Sequence, residues 1–142
     1  MYRQTIQRSL DQIESRLNTE LSAEELAKQA GFSLYHYYRI FRMETGMPVM
    51  QYILRRKLLH GVYEMSRGMT GIRAAMEYGF ETYAGFYRAF VREFGVTPGV
   101  YLRSGRAVRP CPVDLSREES IMLTLKQARE ILKHWDLEDA PL

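Results

Sequence analysis

Two groups of residues in this 142-residue sequence have side chains and spacing suited to reading a nucleic acid: Tyr35, Tyr38, Arg39 and Arg42, and then Tyr83, Ala84, Tyr87 and Arg88. On a helix of 3.6 residues per turn each group falls on one side, with Tyr37, Ile40 and Phe41, or Phe86, Ala89 and Phe90, on the other. A guanidinium can donate two bonds to O6 and N7 of guanine, and a tyrosine carries a hydroxyl on a flat apolar ring. His36 adjoins the first group, and the run Arg55, Arg56 and Lys57 is a candidate for phosphate contact. Neither Asn nor Gln stands on either face, so adenine would be read weakly or through duplex shape.

Other chemistries find little support. There is no Ser/His/Asp ordering, no glycine-rich phosphate loop and no carboxylate pair at active-site spacing, so no enzyme is expected. His36, His60, His134 and the single Cys111 lack metal-ligand spacing, one cysteine makes no internal disulfide, and no cofactor is implied. Cys111 sits between prolines, and no pattern of basic neighbours makes it a strong nucleophile candidate. No stretch approaches the roughly 20 apolar residues of a membrane span, and the start lacks a secretory signal, so a cytoplasmic protein is expected.

Charge is unevenly placed. Residues 1–109 hold 16 Lys/Arg against 10 Asp/Glu, a net +6, whereas residues 110–142 hold 4 against 7, a net −3. The first part is therefore the candidate for binding a polyanion.

The elements that must position these groups occur twice. Ser22, Ala27, Gly31 and Phe32 match Thr70, Ala75, Gly79 and Phe80 at a shift of 48, and after one extra residue Arg39, Phe41, Gly46 and Tyr52 match Arg88, Phe90, Gly95 and Tyr101. Two copies of one supersecondary unit explain this register. In each, a Ser or Thr caps a helix, with Glu25 completing a capping box after Ser22. Leu26 and Ala27, or Ile72 and Ala75, are expected to be buried, and Gly31 or Gly79 closes the helix. A small residue at the crossing and a glycine four residues later is helix-turn-helix spacing; a generic helical hairpin can share it, but two copies in register favour DNA binding.

Ser33 to Met43 forms the first candidate reading helix, and Glu81 or Thr82 caps the second, in which Gly85 is either tolerated or marks a close approach. Val49 to Met65 reads as one linking helix on the order of 25 Å long, with Tyr52, Ile53, Leu59 and Val62 apolar and Gly61 a point where it could bend. A first helix from Tyr2 to Leu17 carries Ile6, Leu10, Ile13 and Leu17 on one face and is expected to pack on the first unit.

The segment GFETYAGFYRAFVREFGVTPGVYLR resembles the second helix-turn-helix signature of the AraC/XylS family of bacterial regulators, and GFSLYHYYRIFRMETGMPVMQYI resembles the first, so that the likeness runs from about Ile6 to Arg103. The resemblance implies an all-α domain of seven helices whose third and sixth enter adjacent major-groove segments of double-stranded DNA. It further implies contacts by Tyr35, Tyr38, Arg39, Tyr83, Ala84, Tyr87 and Arg88, and RNA polymerase as a protein partner.

The expected architecture is thus two helix-turn-helix subdomains, about 22–43 and 70–93, joined by a linker helix at about 49–65 within a DNA-binding domain of residues 1–109. Residues 110–142 are expected to be a Pro-marked linker and a helical extension. Ser116 and Glu119 form a capping box there, ahead of an apolar seam of Ile121, Leu125, Ala128, Leu132 and Trp135. That seam either docks on its own domain or pairs chains; without such pairing, one chain covers an asymmetric site as a monomer. The competing function is a protein-interaction adaptor or a regulatory fragment of a larger effector-sensing protein, which would leave the Arg39 and Arg88 faces unexplained.

Overall fold

A computed structural model describes residues 2–105 and 107–116; the expected capping box and apolar seam beyond Ser116 lie outside the described residues. The described residues form seven helices and no strand: α1 (Arg3–Ser15), α2 (Ala23–Ala30), α3 (Leu34–Thr45), α4 (Val49–Ser66), α5 (Gly71–Glu77), α6 (Tyr83–Phe94) and α7 (Pro98–Arg103).

The duplication seen in the sequence is a duplication of local hydrogen bonding. Ser22 and Thr70 accept bonds from the amides of Glu25 and Arg73 at the starts of α2 and α5, and Ser33 and Thr82 do the same for His36 and Gly85 at the starts of α3 and α6. Both turns close alike: Phe32 N–H donates to the Ala27 carbonyl and Phe80 N–H to that of Ala75, each at 2.9 Å, while Gly31 and Gly79 take φ of 79° and 87°. A side chain at either glycine would be strained, which is why both copies keep one there. The anticipated Ser22 box differs in its second arm, because the Ser22 hydroxyl donates to the carboxylate of Glu24.

Two cores follow. The first gathers Ile6, Leu10, Ile13 and Leu17 with Leu26, Tyr37, Ile40 and Phe41, and the second gathers Ala75, Phe86, Ala89, Phe90, Phe94 and Tyr101. Helix α4 serves both, since Val49, Tyr52 and Ile53 enter the first core and Leu58, Leu59 and Val62 the second. The linker is therefore a shared structural helix, buried along its length. Gly61 explains itself here: a Cβ at that position would lie 2.6 Å from the Phe86 ring, so its absence lets α6 approach α4. One expectation fails in α5, where Ile72 is 65% exposed and Ala74 takes the buried place beside Ala75. Ala74 and Ala75, rather than Ile72, lie on the buried face of this short helix.

After α7 the chain turns back. Ala107 packs on the second core, whereas Val113 and Leu115 are buried in the first. The stretch expected to be a linker from Pro110 is thus packed as far as Leu115.

Candidate nucleic-acid interface

Helix α3 buries Tyr37, Ile40, Phe41 and Thr45, and α6 buries Phe86, Ala89, Phe90 and Phe94. The two helices are of equal length, 12 residues, and each begins at a hydroxyl cap and ends at a left-handed glycine. Positions 49 apart are therefore structurally equivalent, and burying one face fixes what the other can present. On α3 the outward face carries Tyr35, at 77% exposure, then Tyr38, Arg39 and Arg42. On α6 the outward face carries Ala84, Tyr87 and Arg88. Tyr38 and Tyr87 occupy equivalent places and are 42% and 40% exposed, and Arg39 and Arg88 follow them.

Arg92 was missed by the sequence reading. It is exposed on α6 one turn beyond Arg88, with only a 3.7 Å approach to Glu93. Its four-residue spacing from Arg88 was the available signal.

Two further candidates sit differently from the open groups. The His36 ring packs on Phe32, with centroids 4.7 Å apart, and edge-on to Tyr2, so it fastens the start of α3 to the preceding turn and to the residue before α1. Tyr83 is half-buried: its ring covers Gly71 and stacks on Phe86, and burial raises its hydroxyl above the ordinary tyrosine pKa.

The basic run in α4 has partners within the chain. Arg56 is 2% exposed, and its guanidinium donates to both carboxylate oxygens of Glu14 and to the Cys111 carbonyl. Glu14 also meets Nε2 of His60 at 2.7 Å. Burial pushes the Glu14 carboxyl up, but the His60 and Arg56 hydrogen bonds and the Arg56 charge outweigh it, holding the group below the ordinary carboxylate pKa. Arg55 donates from Nε to Glu93 at 3.0 Å, which Gln51 also reaches, and stands near the Phe94 ring. Both guanidiniums are thus paired with carboxylates of the chain itself. Lys57 is partly buried, and that burial lowers its pKa.

The profile of a family described as a helix-turn-helix domain matches residues 6–104, from α1 through α7. MarA, the multiple antibiotic resistance protein of Escherichia coli, is 36% identical over 98 residues, covering 68% of this chain and 77% of MarA. The chain belongs to the AraC/XylS family of transcription regulators. AarP, an HTH-type transcriptional activator of Providencia stuartii, is 31% identical over 90 residues, or 63% of this chain and 67% of AarP. The HTH-type regulator YbfP of Bacillus subtilis is 33% identical over 101 residues, and the chain spans about a third of YbfP's length, the match covering 34% of it.

Solved structures repeat the fold of this AraC/XylS member. An AraC-type regulator from Chromobacterium violaceum superposes with a TM-score of 0.65 at 18% identity, covering 76% of this chain and 96% of that one. The DNA-binding domain of AdpA, solved in complex with a target DNA, gives 0.61 at 23% identity, covering 74% and 96%.

Proposed function

We propose that one copy of this regulator lies along a DNA duplex with α3 and α6 in successive major-groove segments, and controls transcription from that site. The observation that carries this reading is the equivalence of the two outward faces: Tyr38 with Arg39, and Tyr87 with Arg88, stand alike on helices whose opposite faces are buried. The major groove admits one α-helix, and successive segments recur about every 34 Å. Helix α4, 18 residues and hence about 27 Å long, supplies a spacer of that order. Arg39 and Arg88 read guanine, Tyr35, Tyr38 and Tyr87 contact bases or phosphates, and Arg42 and Arg92 anchor on phosphates. RNA polymerase is the protein partner this reading implies, and the cytoplasm its location.

The first test is binding to random duplex followed by selection from a random pool. Affinity is expected to fall steeply with salt, by roughly 0.9 in log K per log salt for each phosphate engaged. The selected site should be asymmetric. Negligible duplex binding at low salt would favour the adaptor, and a selected palindrome bound by two chains would sink the single-copy reading.

A sharper test of α6 uses Gly85. A Cβ there meets nothing closer than Thr82 Oγ1 at 3.4 Å, an ordinary van der Waals contact. Gly85→Gln should gain up to about 1 kcal/mol of helix propensity and introduce an amide able to pair with adenine. Base preference is expected to change in one half of the selected site. Unchanged preference and unchanged affinity would show that α6 does not face DNA.

A further inference from the structure

We infer that residues 107–116 form a strap that sets the spacing at which the two reading helices fit DNA, with Gln7 as its clamp; the DNA part of this inference rests on the proposed mode of binding.

Ala107 is packed on the second core, and Val113 and Leu115 are buried in the first, so five residues, 108–112, carry the chain from one unit to the other. Gln7 holds the far end as a neighbouring strand would. Its Nε2 donates to the Val113 carbonyl at 2.9 Å, and its Oε1 accepts from the Leu115 amide at 2.7 Å. Both bonds span more than a hundred residues of sequence. Midway, the buried Arg56 guanidinium donates to the Cys111 carbonyl at 2.9 Å. The strap is therefore gripped from α1 by Gln7 and from α4 by Arg56.

A shared helix alone would leave two units able to swing about its axis and flex at Gly61. Besides Tyr78, which follows α5 and packs on the first core, the structure adds two polar ties. Glu93 of α6 takes Arg55 and Gln51 from the half of α4 that serves the first core. The strap supplies the other tie through Arg56, and successive residues leave a helix about 100° apart, so the two grip α4 from different directions. Swing about the axis is thereby resisted on two sides. On DNA, one added base pair between the halves of a site moves the second half by about 3.4 Å and turns it by roughly 35°. A braced molecule cannot follow that displacement without breaking a tie; a loosened one can. Gln7 and Val113 are positioning residues in this sense, remote from the outward faces of α3 and α6.

Two measurements on the full chain test this. Spin labels at Lys28→Cys on α2 and Arg73→Cys on α5, in a Cys111→Ser background, report the distance distribution between the units without any DNA. Gln7→Ala, and separately Val113→Ala, should broaden that distribution while helical content is kept. In parallel, the selected site and versions lengthened or shortened by one base pair between its halves are compared. The parent should prefer its own spacing by tenfold or more, and each variant should prefer it by threefold or less. An unchanged distance distribution overturns the brace. A broadened distribution with the full spacing preference retained overturns its role in specificity, as does an equal loss of affinity at every spacing. If the parent binds no duplex, the DNA-binding mode itself fails and the spacing inference falls with it, whatever the labels report. Gln7→Ala removes hydrogen bonds without opening the core, which keeps the test available if Val113→Ala unfolds.

Discussion

Glu14→Ala is expected to lower the unfolding free energy by about 3 kcal/mol, roughly 10 °C in Tm for a domain of this size, without touching either outward face. The cause is the partner left behind. Arg56 is buried, and once Glu14 is gone its charge keeps only the Cys111 carbonyl among the acceptors described. Pairing the change with Arg56→Met should recover more than half of the loss, because an apolar side chain of similar volume needs no counter-charge there. A single variant within 1 kcal/mol of the parent, by denaturant unfolding, would show that Arg56 rehydrates freely. The same pair fixes an acid dependence. Glu14 has a lowered pKa when folded, so between its folded value and the ordinary value of 4.5 the unfolded chain binds the extra proton. Its contribution to stability is complete above that interval and is lost as pH falls through the folded value. Glu14→Ala should therefore flatten the acid limb of the stability curve.

The second large effect is on DNA. Arg39→Ala and Arg88→Ala together should weaken binding to the selected site by about 2–6 kcal/mol, about half from each, since the two lie on different helices and lose about 1–3 kcal/mol apiece. Titration of the selected duplex and a random duplex at one salt concentration checks this. The loss should be much smaller on random DNA, and guanine preference should relax in both halves of the site. Equal losses on both duplexes would make the arginines phosphate anchors and remove base reading from them.

What could be read from the sequence was what local chemistry decides. Hydroxyl caps, Ala27 and Ala75 at the crossings and Gly31 and Gly79 at the turns act within a few residues of themselves, so their double occurrence gave both units and the buried sides of α3 and α6. Distant partners were not readable. Arg55 and Arg56 stand in a basic run, and nothing near them indicates that Glu93 and Glu14 will claim them. The clamp on the strap is a side-chain amide meeting backbone groups more than a hundred residues away, which leaves no periodic trace. Hydrophobicity alone puts Ile72 inside, and α5, at seven residues, is too short for its period to correct that.

The sharing of α4 between two unlike units has a consequence for the genome. A symmetric dimer turned end for end presents the same face to its neighbours, but this chain has a Tyr35–His36 end and an Ala84–Gly85 end, with no rotation that exchanges them. Any duplex that it reads through both ends then acquires an arrow. Reversing such a sequence relative to a start of transcription would leave affinity intact while carrying every other surface of the protein to the opposite side of the promoter.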